Sequence, residues 1–266
     1  MSSQPNTKHI VLGVLGAVGA LGVGLGLAYY FFQREPLDPK VEQLIALIKK
    51  TIQENGGHLS KASLIFIQEL MGVLAQPEYV RIMIEGRTKR RQPGITDAEY
   101  EEIVKNTSKG IEELVDNKVA KALGYSDISE EAYQLAFITA VREEPRLSYI
   151  PVMILEQMRK DLPLHPNAPK MTVELARECL RFQVIIWSQI KLEVKDPEYA
   201  SIVKQAKLAD LTVEKFHIEE ENLTSDELVK LDEECILLSK KLQEMISKDD
   251  PRNQGLEEAQ DDGLTF

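Results

Sequence analysis

Between His9 and Gln33 the chain reads IVLGVLGAVGALGVGLGLAYYFF, 23 residues with six glycines and no charge. Three structures compete for such a run, and each commits the rest of the chain to a different architecture. The spacing Gly13-x-x-Gly16-x-x-Gly19 after an apolar stretch fits the tight turn between a strand and a helix that cradles a dinucleotide's pyrophosphate, with Glu35 near the distance of a ribose-binding acid. That reading requires further strand–helix units, and nearly every later segment carries helical periodicity instead. A cleaved signal peptide is the second reading, with Lys8 as its positive end and Gly26-Leu27-Ala28 as a small-x-small site. Against it, the run exceeds the usual 7–15 apolar residues and continues through four aromatics past that site.

The third reading is a membrane-spanning helix over 10–32. At ~1.5 Å per residue the run reaches roughly 34 Å, enough for a hydrocarbon core of about 30 Å. A helix satisfies its own backbone groups in lipid, and a glycine loop does not. Tyr29 and Tyr30 stand at one end, where amphipathic rings favour the interface. At about 100° per residue, Gly13, Ala17, Ala20, Gly24 and Ala28 share one stripe about 80° wide. Gly19, Gly22 and Gly26 form a second small-residue face, and such faces let neighbouring helices approach closely. The expectation is therefore a retained transmembrane helix packed among others. Arg34, Lys40, Lys49 and Lys50 outweigh Lys8, placing the C-terminal bulk on the positive side, cytosol or matrix. A mitochondrial membrane fits that orientation, although no Arg-rich amphipathic presequence precedes the run.

Lys8 is the only lysine or arginine before Arg34, so the remaining chain carries a net charge of −12, against −11 for the whole. Phosphate backbones repel such a domain, and nucleic acid is excluded as a primary partner. Cys179 and Cys235, the only two cysteines, lie far apart in helix-patterned sequence and form no disulfide framework.

Residues 1–9 read as a short tail and 33–39, QREPLDP, as a proline-stiffened linker. From 40 to 248 the pattern is that of an all-α bundle of about seven or eight helices. Asp38 with Pro39 opens the first, and Gly56-Gly57 closes it. Ser60 opens a helix whose stretch 64–75 is apolar nearly all round, a buried helix. Pro77 marks a restart, Thr96 opens a long polar helix that Gly124 stops, and 129–144 and 146–160 follow. DLPLHPNAPK (161–170), with Pro163, Pro166 and Pro169, reads as an extended, polyproline-like connection and a possible sub-boundary. Thr172 opens a second all-round apolar helix reaching about Val194, and Asp196-Pro197 opens the next. A capping box at Thr224 and Glu227 precedes a seam of Leu228, Leu231, Cys235, Leu238, Leu242 and Met245, expected to pack antiparallel. Residues 249–266 form an acidic tail with the composition of disorder. QPEYVRIM, DAEYEEIV and DPEYASIV echo one another, a similarity that ordinary helix-start chemistry explains.

No catalytic constellation emerges. His9, His58, His165 and His217 are scattered, and metal-ligand spacings, phosphate loops and serine elbows are missing. Glu214-x-x-His217 occurs once, where a di-metal bundle needs it twice. No cofactor, metal or small-molecule substrate is indicated, and the chain is expected not to be an enzyme. RTKRR (87–91) is the one dense basic run: Arg87, Lys89, Arg90 and Arg91 are candidates for contact with anionic lipid or an acidic partner, or form a solvated helix end. The expected function is a non-catalytic, single-pass accessory subunit whose partners are other membrane subunits. The alternative is a signal-anchored adaptor whose helical domain receives a soluble protein.

Overall fold

The structure, a computed structural model, describes residues 37–225, 229 and 231–250. The proposed span 10–32, its flanking segments 1–9 and 33–36, and most of the acidic tail lie outside the described residues. Among those described, all regular structure is helical: α1 (Pro39–Glu54), α2 (Lys61–Arg90), α3 (Asp97–Tyr125), α4 (Glu130–Glu143), α5 (Ile150–Arg159), α6 (Val173–Trp187), α7 (Ala200–Phe216), α8 (Glu220–Ser225) and α9 (Glu233–Asp249), with 3-10 turns at Pro145–Tyr149 and Pro197–Tyr199. No helix among them is long and apolar enough to cross a membrane.

The helix starts follow local chemistry. The Asp38 carboxylate accepts the Lys40 N–H at 2.7 Å ahead of Pro39, and Gly57 N–H returns to Ile52 carbonyl at 2.9 Å with both glycines at positive φ. Ser60 and Ser63 cap each other reciprocally, as do Thr96 and Glu99. Ser129 and Thr172 accept from Ala132 and Leu175 N–H, each at 3.2 Å.

Helix ends depart from the sequence reading in four places. Pro77 lies inside α2 and begins nothing. It forfeits one backbone hydrogen bond, but Ala75 and Tyr79 on either side are buried and hold the helix through it. Gly124 does not stop α3, because the left-handed residue is Asp127, φ 56°, with Ile128 N–H bonded to Leu123 carbonyl at 3.1 Å. Helix α6 ends at Trp187 and is amphipathic, with Ala176, Cys179, Leu180 and Trp187 buried while Ile185 is exposed. The last helix starts at Glu233, where Asp232 accepts the Cys235 N–H at 2.9 Å, and Thr224 lies within α8.

The chain forms two compact units, of which the described residues 37–82 and 109–159 make the first and 83–108 with 160 onward the second. One break thus falls at the start of the proline-rich segment and the others inside α2 and α3. In the first unit Val41, Leu44 and Ile48 of α1, Ile67, Leu70 and Met71 of α2, and Ile154 and Met158 of α5 are buried. Gln68 donates to the Tyr133 hydroxyl within this core, and Tyr133 stacks on Phe137. Gly72 allows α5 its approach: a Cβ there would stand 2.6 Å from Ile154 Cγ2.

In the second unit α6 and α7 run antiparallel, with Phe182 edge-on to Phe216 and Gln183 donating to Thr212 at 3.2 Å. Helix α9 runs in the same direction as α6, opposite to the expected antiparallel seam. Its start is held at the start of α6 by Arg177 and Asp232. Its far end is held by Lys204, which pairs with Asp249 at 2.6 Å and stacks over the Trp187 ring near the end of α6. Cys235 and Leu238 of the seam pack against Ala176, Cys179, Leu180 and Ile218, whereas Leu231 is 79% exposed. The three echo tyrosines sit in different local structures, Tyr79 mid-helix, Tyr100 in a first turn and Tyr199 in a 3-10 turn.

Substituting Gly72→Ala should lower stability by about 1–3 kcal/mol, since the β-branched Ile154 cannot swing aside. Gly124→Ala, in a helix with nothing within 4 Å of the new Cβ, should raise stability by roughly 0.5–1 kcal/mol. Thermal melts of the full chain in detergent, followed by helical circular dichroism, should therefore shift in opposite directions.

Candidate functional site

The densest set of functional groups lies in the second unit, where the basic run 87–91 ends α2. Arg90 Nε donates to Asp210 Oδ2 at 2.7 Å and Arg91 Nε to Asp210 Oδ1 at 2.6 Å, while the Tyr100 hydroxyl donates to Asp210 Oδ2 at 2.7 Å. Arg91 also forks onto Glu219, Nη1 to Oε1 at 2.6 Å and Nη2 to Oε2 at 2.9 Å. Arg87 lies 3.5 Å from Glu219 Oε2 and donates to Glu221. Three guanidiniums thus meet three carboxylates, and all but Arg91, a quarter exposed, are close to fully buried. The bidentate fork is the strongest geometry available to an arginine–carboxylate pair.

Helical spacing explains the convergence. Arg90 and Arg91 follow Arg87 by three and four residues and share one face at the C-terminal end of α2, where Arg91 N–H still bonds to Arg87 carbonyl at 3.2 Å. Lys89 points away and is exposed. Asp210 lies on α7, and the two glutamates follow a reversal at His217, which takes φ 57°. That left-handed residue turns the chain after α7 so that Ile218 and Glu219 are both buried.

Burial opposes charge on Glu219, yet Arg91 and Arg87 outweigh it and hold its carboxyl below the ordinary range. Burial likewise works against the Arg91 charge, and Glu219 and Asp210 together raise its pKa above the usual arginine value. For Tyr100, burial and then the adjacent Asp210 carboxylate push the phenol up. Arg91 and Glu219 are thus held in their charged forms, and the Tyr100 phenol in its protonated form. Those states suit a structural clamp, since the lone pairs of Glu219 are already taken up by the Arg91 fork.

A smaller polar link lies nearby in sequence. Buried Glu101 accepts the backbone N–H groups of Lys195 and Asp196 at 2.9 and 3.0 Å, and Lys105 reaches Asp196 at 2.8 Å. These contacts fix the irregular stretch after α6. The proline-rich segment is not extended throughout: Ala168 N–H bonds to His165 carbonyl at 2.8 Å, closing a turn around Pro166 and Asn167. The His165 ring accepts from Asn167 N–H at its Nδ1 and stacks on His217 at 4.7 Å between centroids. The Glu214-x-x-His217 spacing thus ends with its histidine against another ring. Among the described residues no group of three or more His, Cys, Asp or Glu is placed to hold a metal ion.

Of the sequence candidates, the structure therefore brings Arg87, Arg90 and Arg91 together on internal carboxylates and leaves Lys89 at the surface. The small-residue faces Gly13, Ala17, Ala20, Gly24, Ala28 and Gly19, Gly22, Gly26 lie outside the described residues. Sequence reasoning missed Asp210, Glu219, Glu221 and Tyr100. A signal existed in the acidic run Glu219-Glu220-Glu221, the natural counterpart of the one basic run, but more than a hundred residues separate the two. No family model, curated protein or solved structure matches this chain.

Two outcomes follow. Unfolded Glu titrates near 4.3, and Glu219 titrates lower when folded, so its stabilisation is complete above that value and is lost as pH falls through the folded pKa. Glu219→Gln should cost about 2–4 kcal/mol at pH 7, somewhat under a fully buried pair because Arg91 is partly exposed, and should flatten the fall in stability below about pH 4. Denaturation curves from pH 7 to 3 measure both effects. Burial pushes the Cys179 thiol up to about 12, and burial with Asp232 pushes Cys235 up to about 11. At pH 8 neither should react readily with a thiol reagent until the protein is denatured.

Proposed function

We propose that this chain is a single-pass membrane protein acting as a non-catalytic accessory subunit of a larger membrane complex. The observation that carries the proposal is the uncharged 23-residue run with two small-residue faces, joined by a short linker to a helical domain. A lone anchor gains nothing from glycines that each cost about 1 kcal/mol in a helix interior, whereas a helix packed among neighbours does. The commitment of the densest charged cluster to internal pairing favours the same reading, since it serves folding rather than a reaction. On this proposal the helical domain lies on the positive side, cytosol or matrix, in a mitochondrial or comparable membrane.

Two measurements test it. The full chain should stay with the membrane through an alkaline carbonate wash, and release into the supernatant would end the spanning reading. After extraction in mild detergent, an affinity tag at the C-terminus should recover the chain at constant stoichiometry with several membrane proteins. Recovery as a free monomer or dimer would overturn the subunit assignment. Recovery with one soluble protein would point to the adaptor instead.

A further inference from the structure

The irregular stretch after α6 reads IKLEVK from Ile190 to Lys195, and its exposure alternates with a period of two. Ile190, Leu192 and Val194 are half-buried, and Leu192 and Val194 pack against Tyr100, Val104 and Val203. Lys191, Glu193 and Lys195 are exposed. That alternation is the pattern of an extended strand resting on a core by one face, yet no second strand accompanies it among the described residues. Its two edges differ. Lys195 N–H donates to Glu101 of α3, so the edge carrying the backbone groups of 191, 193 and 195 faces α3. The other edge carries those of 190, 192 and 194. There Ile190 N–H donates to the Ile186 carbonyl at 3.0 Å, while Leu192 N–H, Val194 N–H and all three carbonyls have no hydrogen-bond partner among the described residues. Buried backbone groups are almost always paired, so this edge meets solvent.

We infer that this edge pairs with the same edge of a second copy of the chain, the two segments antiparallel about a two-fold axis at Leu192. An edge with free N–H and C=O groups is a template for another strand, and this sequence is complementary to itself in that register. Opposite residues share a face, so Lys191 of each copy meets Glu193 of the other on the solvent side, an opposite-charge pair made twice. Leu192 faces its own counterpart as a hydrogen-bonded pair. Each Leu192 N–H donates to the other copy's Leu192 carbonyl, and each Val194 N–H to the other's Ile190 carbonyl. All of those groups are unengaged, and only the return bond from Ile190 N–H is forgone. Moving the axis to Lys191 or Glu193 would oppose like charges and would use the edge that faces α3. A two-stranded ribbon alone is marginal in water, but here each strand is already backed by its own core. The short pairing buries less than the roughly 800 Å² per partner of a stable interface, so the dimer should form and dissociate with concentration. The inference goes beyond the accessory-subunit proposal and does not rest on it, since two copies fit within one complex.

The test uses the full chain in mild detergent. Lys191→Cys and Glu193→Cys chains carrying different affinity tags are mixed and oxidised with copper phenanthroline. Both positions are exposed, so neither change disturbs the core, and the two native thiols are buried. The mixed disulfide should form several-fold faster than a disulfide within either variant alone, because 191 stands opposite 193 and only diagonal to 191. Sedimentation equilibrium reads the same register. Lys191→Glu or Glu193→Lys should weaken dimerisation by about tenfold or more, and the two together should restore it. A chain that stays monomeric at the highest attainable concentration overturns the inference. So does a dimer indifferent to both reversals, since it pairs elsewhere, the small-residue faces of 10–32 included. Equal cross-linking of the mixed and single variants overturns the register and the inference with it.

Discussion

The second unit depends on the neutralisation of three arginines crowded onto one turn of helix. Alone, Arg87, Arg90 and Arg91 would repel each other, and burying any one of them unpaired would cost several kcal/mol. Asp210, Glu219 and Glu221 remove that penalty only if α2, α7 and the segment after α7 hold their positions together. Helix α3 joins the arrangement through Tyr100, whose hydroxyl shares Asp210 with Arg90. A buried pair of this kind adds little net stability over apolar packing, but misplacing one partner is heavily penalised. Its effect here is to fix which helix turns meet.

That requirement accounts for otherwise odd local features. His217 occupies a left-handed conformation that costs a non-glycine residue about a kcal/mol or more. The turn is repaid by the burial of Ile218 and the placement of Glu219, and the stacked His165 ring covers the bend. The first unit is organised differently. Its contacts are mostly apolar, with Gly72 opening room for Ile154 and the Gln68–Tyr133 bond as a buried polar link.

What could be read from the sequence was what is local. Asp38, Ser60, Thr96 and Thr172 all cap helices where expected, because a cap is decided by three or four adjacent residues. Helix continuation was less legible. Pro77 is a breaker by intrinsic preference, yet packing carries α2 through it, and α3 runs one residue past Gly124 before Asp127 turns the chain. The polyproline reading of 161–170 failed at Pro166, which suits the second position of a turn as well as an extended chain. The direction of α9 relative to α6 was beyond reach, since a seam of threes and fours has no polarity until Arg177 and Lys204 hold its two ends. The carboxylate partners were hidden for the same reason: pairing across more than a hundred residues leaves no local mark.

The buried cluster also changes where this protein can meet an anionic surface. In sequence the run 87–91 is the obvious basic patch, but turning its arginines toward phosphates would strand Glu219 and Glu221 in a buried site without counter-charges. Headgroup phosphates in high dielectric offer about 1 kcal/mol per basic residue, less than the several kcal/mol lost on stranding a buried carboxylate. Among its basic residues only Lys89 is fully exposed, Arg91 being a quarter exposed. Arg142 and Arg146 of the first unit are exposed to solvent, whereas Arg159 donates to the buried Tyr79 hydroxyl at 3.4 Å. The position of the carboxylates, rather than the density of the basic residues, thus decides which cations remain at the surface.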